Sequence, residues 1–308
     1  MAGLSRGGRR SAAITGLALA LLLLAESQDL AAQVPPGGAL DQVAIDYRLA
    51  SRTWIGRVLE VTTDLFFWLA LLEFVIAGIM YMIATPQARE AAAGRLLVKI
   101  MLISFVYMLI TQSNYWLARL MNSFADVGEY VLGTLMRPSD IVSYGEYLSS
   151  EILNSVDAMG MITNPPLVIY ITFTALLVMV SYILIAVQVV LTLVHSYILL
   201  SAGIFFLAFG AFRATASLAE NYLLACVHVG VKLMMLYFVV ALGEPLTRRW
   251  VELLANDSFL STDYGPIIEV LAGVTILAFI VWYIPNKIAS QITGGASLGL
   301  TAAMRGNS

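Results

Sequence analysis

Runs of about 20 apolar residues are the main feature of the hydrophobic pattern, and they predict an all-α, polytopic membrane helix bundle. A helix of that length spans a hydrocarbon core of ~30 Å at 1.5 Å rise per residue. Residues 62–84 and 96–116 are the first two predicted spans, and residues 222–242 and 267–284 are the last two. Between these pairs, residues 167–212 contain no Asp, Glu, Lys or Arg.

The length of this uncharged run leaves the number of crossings open between five and six. It is long enough for two helical spans divided near residues 193–196, which gives six. It also fits one crossing followed by a re-entrant or interfacial piece, which gives five. The positive-inside rule favours five, because Arg213, Lys287 and Arg305 then lie in the cytoplasm. With the N-terminal segment in the periplasm, the C-terminus lies in the cytoplasm if five segments cross and in the periplasm if six cross, and the charges alone leave both open.

Two regions outside the spans carry apolar residues at three- and four-residue spacing, which predicts amphipathic helices. Residues 41–61 form one such helix, which we place on the periplasmic surface. Residues 117–166 contain two more, separated by residues 137–140 with Ser139 or Asp140 as the N-cap. Their apolar faces need a membrane surface, the bundle or partner subunits. The predicted partner-facing stripe consists of Phe124, Val131, Leu148 and Ile152.

These patterns divide the chain into five parts. Residues 1–32 combine basic residues with an apolar core, which is typical of a secretory signal, either cleaved or retained as an anchor. Residues 40–116 hold the periplasmic amphipathic helix and the first two spans, and residues 117–166 form a periplasmic helical loop. A C-terminal membrane bundle follows at residues 167–295, and residues 296–308 form a flexible tail. The signal-like start indicates a multi-pass protein of a bacterial inner membrane.

Composition supports the membrane assignment and provides few residues that could form a catalytic or metal site. The chain is 60% hydrophobic and 12% charged, whereas soluble domains are about 45–50% apolar and about 25% charged. A net charge of −3 indicates no nucleic-acid-binding surface for the chain as a whole. The single cysteine, Cys226, and two histidines provide neither a disulfide nor a metal cluster. We therefore predict no cofactor, no metal and no catalytic residue, and an enzyme is the least favoured class.

A few charged residues lie within the predicted spans. An intramembrane charge costs at least ~2.5 kcal/mol, so it should face a partner or a wet cavity. Opposite signs at matching depth predict that Glu73 pairs with Lys232, and His228 shares the helix face of Lys232. These residues form either a polar seam between helices or the coupling residues of a stand-alone secondary transporter or ion channel. Lys99 and Glu269 lie near span ends, where we expect them to snorkel to the interface.

The central stretch carries a further pattern. It reads FFLAFGAFRAT at residues 205–215, then AENY at residues 219–222 and GVKLMM at residues 230–235. The last span ends in IPNKIASQITGG at residues 284–295. Together with the order of the predicted elements over residues 40–295, these segments resemble the TrbL-type conjugal transfer proteins, polytopic inner-membrane components of type IV secretion systems.

The resemblance implies a scaffold or channel part at the base of the secretion complex, and not an enzyme. It implies a homo-oligomer that meets pilin and minor pilin subunits, other inner-membrane secretion components and ATPases, and that helps DNA or protein substrates to pass. It also implies that Gly210 and Arg213 of the central element are functionally important. It further implies a periplasmic N-terminal segment and a cytoplasmic C-terminus, which agrees with five crossings. In this setting, the amphipathic periplasmic helices would form a platform on which a pilus grows.

Overall fold

The computed structural model describes most of the chain between residues 38 and 295. The described residues are 38–83, 85–132, 137–154, 165–256 and 265–295. The predicted signal-like segment, 1–32, and the predicted tail, 296–308, lie outside them.

The described residues form helices and no strand, which confirms the all-α prediction. The helices are α1 (Gly38–Ile83), α2 (Pro86–Thr111), α3 (Ser113–Leu132), α4 (Pro138–Asn154), α5 (Pro165–Ala202), a 3₁₀ helix (Gly203–Ala211), α6 (Ala216–Asn256) and α7 (Gly265–Thr293).

Four of these helical segments are long and apolar enough to cross a membrane. They are α1, α5 together with the 3₁₀ helix, α6 and α7. Helices α2 and α3 form a pair bent by 69°, which gives a fifth candidate if the pair counts as one broken span. The number of candidate spans in the described part of the chain is therefore four or five, and the polytopic membrane prediction is confirmed.

The predicted division of residues 167–212 into two spans is wrong. Helix α5 continues without a break through residues 193–196. The Ser196 hydroxyl donates a hydrogen bond of 2.7 Å to the carbonyl of Leu193 within the same helix. A serine bonded in this way satisfies its own polar group and does not interrupt an apolar helix.

Helix boundaries elsewhere also differ from the sequence pattern. The predicted surface helix and first span form one continuous helix, α1. At the predicted junction the hydroxyls of Thr62 and Thr63 donate to the carbonyls of Val58 and Leu59 within that helix. The N-cap prediction is wrong as well, since α4 already begins at Pro138.

Helices α6 and α7 continue through Pro245 and Pro285, beyond residues 242 and 284 where the last two predicted spans end. A proline removes one helix hydrogen bond, and packing against neighbouring helices offsets that loss in a membrane bundle. On α6, Trp250 is buried beyond the proline, and a side chain added at Gly273 of α7 would collide with its ring. Helix α6 therefore continues past Pro245, and the part beyond the proline packs against α7.

Helix α4 packs along α5 inside the chain, which corrects part of the predicted partner-facing stripe. Leu148 and Ile152 are fully buried in a core shared by α4, α5, α6 and α7. The Ser149 hydroxyl donates to the carbonyl of Ala175 across the same contact at 3.1 Å. The bundle itself therefore covers the apolar face of α4, so these two residues are not available to a partner.

Helix α3 packs against α6 in a similar way. A Cβ atom at Gly230 would collide with the ring of Phe124, so the phenyl group lies directly on the α6 backbone. Phe124 is therefore a packing residue within the chain and not a partner-facing one. Val131 lies two turns further along α3 and is 58% exposed. It is the one member of the stripe that remains open to a partner.

Candidate functional site

Glu73 lies on the buried side of α1. Phe66, Ala70, Glu73 and Ala77 follow each other at helical spacing, and all four are buried. The apolar members place this side of α1 against a second core, formed with α2, the 3₁₀ helix and the start of α6. A carboxylate on this stripe is removed from solvent, so it requires partners inside the protein.

Lys99 on α2 supplies the first partner. Its Nζ lies 2.5 Å from Glu73 Oε1, and the two side chains are only 14% and 1% exposed. A charge-assisted hydrogen bond of this length belongs to the stronger class of polar contacts. The pair joins α1 to α2 at a point that water hardly reaches.

The turn after the 3₁₀ helix supplies the second partner. The backbone N–H of Arg213 donates to Glu73 Oε2 at 3.2 Å. The turn itself is held by Thr215, whose hydroxyl donates to the carbonyl of Phe209 at 3.0 Å. Glu73 thus connects three parts of the chain through its two oxygens, and we call Glu73, Lys99 and the Arg213 N–H the buried clasp.

Gly210 allows the helices around the clasp to approach closely. A Cβ atom added there would lie 3.2 Å from Val106 on α2 and 3.2 Å from Ala219 on α6. Such distances are tighter than ordinary van der Waals contact. The resemblance points to Gly210 and Arg213; the structure places the Arg213 N–H on Glu73 and Gly210 in the close contact between the 3₁₀ helix, α2 and α6.

The predicted pair between Glu73 and Lys232 is wrong. The clasp meets α6 at its beginning, whereas Lys232 lies about 24 Å further along that helix than Ala216. Two charges at the same predicted depth in the sequence pattern are thus far apart in the bundle. The expected snorkelling of Lys99 is also wrong, because its ammonium group points at the buried carboxylate.

Lys232 and His228 belong to a different polar group. His228 Nδ1 lies 2.9 Å from the Thr293 hydroxyl, which connects α6 to the last residue of α7. Lys232 is half-buried, and His195 on α5 is close enough to interact electrostatically with both residues. The observed hydrogen bond favours the polar-seam interpretation of these residues over a coupling site.

Sequence reasoning missed Lys99 as the partner of Glu73, although a signal was present. Lys99 precedes Ile103, Val106 and Ile110 at four-, seven- and eleven-residue spacing, and all three are buried. This periodicity places Lys99 on the inward face of α2.

The clasp is suited to holding helices together. In the part of the chain that the structure describes, no three His, Cys, Asp or Glu residues lie close enough to hold a metal ion. Glu73 is engaged by two donors, and Cys226 is a buried free thiol. These features define the class as a polytopic all-α membrane protein whose helices are joined by a buried ion pair.

Comparison with known proteins places the chain within this class. Residues 70–284, well over half of the chain, match the model of the TrbL/VirB6 plasmid conjugal transfer protein family. The chain belongs to this family, which confirms the resemblance.

Two curated relatives carry the same family name. A probable conjugal transfer protein TrbL of Sinorhizobium fredii is 25% identical over 251 residues, which cover 81% of this chain and 62% of the relative. A conjugal transfer protein TrbL of Rhizobium radiobacter is 25% identical over 284 residues, which cover 91% of this chain and 68% of the relative. The chain thus spans about two thirds of each relative's length.

Proposed function

We propose that this chain is an inner-membrane scaffold or channel component of a conjugative type IV secretion machine. In this role it oligomerises at the base of the pilus and helps both pilus assembly and the passage of DNA or protein substrate. The observation that carries the proposal is the family match over residues 70–284. That match includes every member of the buried clasp, the last part of α1, all of the candidate spans α5 with the 3₁₀ helix and α6, and most of α7.

The outward face of α1 supports assembly with further copies of this chain. Only 22% of the most apolar stretch of α1 is buried within the chain, compared with 44% for α5 and for α6. Phe67, Trp68 and Leu71 lie on the exposed side of α1, away from Glu73. A large aromatic face of this kind suits contact with lipid and with a neighbouring subunit.

The end of α3 supports contact with pilin and minor pilin subunits. Val127, Tyr130 and Val131 lie on this end of the helix, and Tyr130 is 88% exposed. Exposed aromatic and branched side chains in one place are typical of a protein-binding surface. We call these three residues the α3 patch, and it replaces the longer stripe that the sequence predicts.

The proposed topology follows from counting the bent pair α2–α3 as one span. Five crossings then put the ends of the described chain on opposite sides of the membrane. With the N-terminal segment in the periplasm, the C-terminus lies in the cytoplasm, where the secretion ATPases act. The basic residues after α5 and in α7 then also face the cytoplasm, as the positive-inside rule favours.

The test of the proposal is complementation of a deletion. A conjugative element that lacks this gene should neither transfer DNA nor form pili, and the wild-type gene supplied in trans should restore both. We expect Val131→Glu to leave membrane insertion intact and to lower transfer nearly to the level of the deletion, because a charge disrupts an apolar interface. The matched control is Ser123→Glu, an exposed position on the same helix.

Two results would contradict the proposal. One is normal DNA transfer by the deletion strain, which would remove the chain from the machine. The other is a defect of equal size in Ser123→Glu and Val131→Glu, which would leave the α3 patch without a role. The alternative of a stand-alone transporter or ion channel loses its main support, because Glu73 is held by Lys99 instead of Lys232.

A further inference from the structure

A cavity of about 980 Å³ opens beside the first half of α1. Its walls come from α1, α3, the start of α4, the second half of α5 and the middle of α6. Cavities that bind organic ligands measure about 300–1,000 Å³, so this one is large enough for a sizeable molecule. It is separate from the buried clasp, none of whose side chains lines it.

The rim of the cavity is positively charged. Arg48, Arg52 and Arg137 line it, together with a single carboxylate, Asp41. Both oxygens of Asp41 already accept hydrogen bonds from Ser139, one from its backbone N–H at 3.1 Å and one from its hydroxyl. None of the three arginines forms an ion pair within the described part of the chain. Their charges are therefore available to an anion.

The deeper wall is apolar, with one buried polar group that has no partner. Leu193, Leu200 and Leu233 contribute hydrocarbon surface. Ser113 at the start of α3 also lines the cavity, and its hydroxyl is buried without any hydrogen-bond partner. An unsatisfied buried hydroxyl costs about 1–3 kcal/mol, so it indicates a position that a ligand oxygen can fill.

We propose that this cavity binds an anionic phospholipid. The phosphate contacts Arg48 and Arg52 at the rim, since guanidinium groups match phosphate geometry. An ester oxygen of the lipid accepts a hydrogen bond from the Ser113 hydroxyl, or a hydroxyl group of the lipid donates one to it. An acyl chain lies along the leucines. Inorganic phosphate alone would neutralise the charge of the rim but leave most of the volume and the apolar wall unfilled. The charge of the rim and the apolar wall together therefore favour an amphiphile.

Native mass spectrometry of the full chain purified in detergent tests the proposal. The protein is titrated separately with phosphatidylglycerol, with phosphatidylcholine and with inorganic phosphate. We expect phosphatidylglycerol to remain bound preferentially, and its affinity to fall about 10-fold or more in Arg48→Gln/Arg52→Gln. The matched control is Arg57→Gln, which changes an exposed arginine on the same helix that does not line the cavity.

A second variant separates the cavity from the outer surface of the protein. Ala118 lines the cavity, so Ala118→Phe fills it while leaving all three arginines in place. This variant should lose phosphatidylglycerol as the double arginine variant does. Equal retention of both lipids, an equal loss in Arg57→Gln, or unchanged binding in Ala118→Phe would overturn the proposal. Binding of inorganic phosphate that competes fully with the lipid would assign the rim to a free anion instead. None of these outcomes depends on conjugal transfer, so the test stands apart from the proposed function.

Discussion

Neutralising Glu73 is the sharpest test of the buried clasp. Glu73→Gln leaves the charge of Lys99 in a place where only 14% of its side chain is exposed. Removing one partner of a buried ion pair costs about 3–5 kcal/mol. The amide carbonyl introduced by this change can still accept a hydrogen bond from the Arg213 N–H. We therefore expect a loss of stability at the low end of this range, about 3 kcal/mol. Lys99→Met should cost about 5 kcal/mol, because the stranded carboxylate is nearly inaccessible to water.

The double variant decides whether the two charges act on each other. Glu73→Gln/Lys99→Met removes both charges at once, and replacing a whole buried pair by neutral groups is often nearly neutral. We expect its stability to lie within about 1 kcal/mol of the wild type, which means a coupling energy of several kcal/mol between the two positions.

Thermal unfolding in detergent, followed by tryptophan fluorescence, measures these differences. Stability changes shift Tm by about 2–4 °C per kcal/mol in large domains, so Glu73→Gln should lower Tm by roughly 6–12 °C. The control is Glu244→Gln, which breaks the exposed pair between Glu244 and Arg248 at 2.8 Å and should leave Tm unchanged. The reasoning is refuted if the double variant is no more stable than Lys99→Met, or if Glu73→Gln shifts Tm no further than the control.

Two further predictions concern packing and topology. Gly273→Ala should destabilise the bundle by about 1–3 kcal/mol, because its Cβ collides with the ring of Trp250. Gly78→Ala should cause no loss of stability, since nothing lies within 4 Å of the added Cβ and alanine favours a helix more than glycine does. Thermal unfolding of both variants checks this, and equal Tm values would contradict it. In a Cys226→Ser background, Ser297→Cys should react with an impermeant maleimide only after the cells are opened. Labelling in intact cells would place the C-terminus in the periplasm.

The sequence alone determines the class of this protein and the approximate location of its helices. Long uncharged runs identify membrane helices because the cost of an exposed backbone or charge in lipid applies to each segment by itself. The stripes over residues 117–166 likewise predict α3 and α4. The family resemblance directs attention to Gly210 and Arg213.

Only the tertiary structure decides which residues meet. Helical periodicity shows that Leu148 and Ile152 share an apolar face, but not that α5 covers it. Hydropathy places Glu73 inside a span, while the packing of α1 against α2 and the 3₁₀ turn selects Lys99 as its partner. The physical reason is that hydropathy and periodicity are local along the chain. Which charges pair, and whether a helix continues or ends at Pro245, depend on neighbours that are distant in sequence.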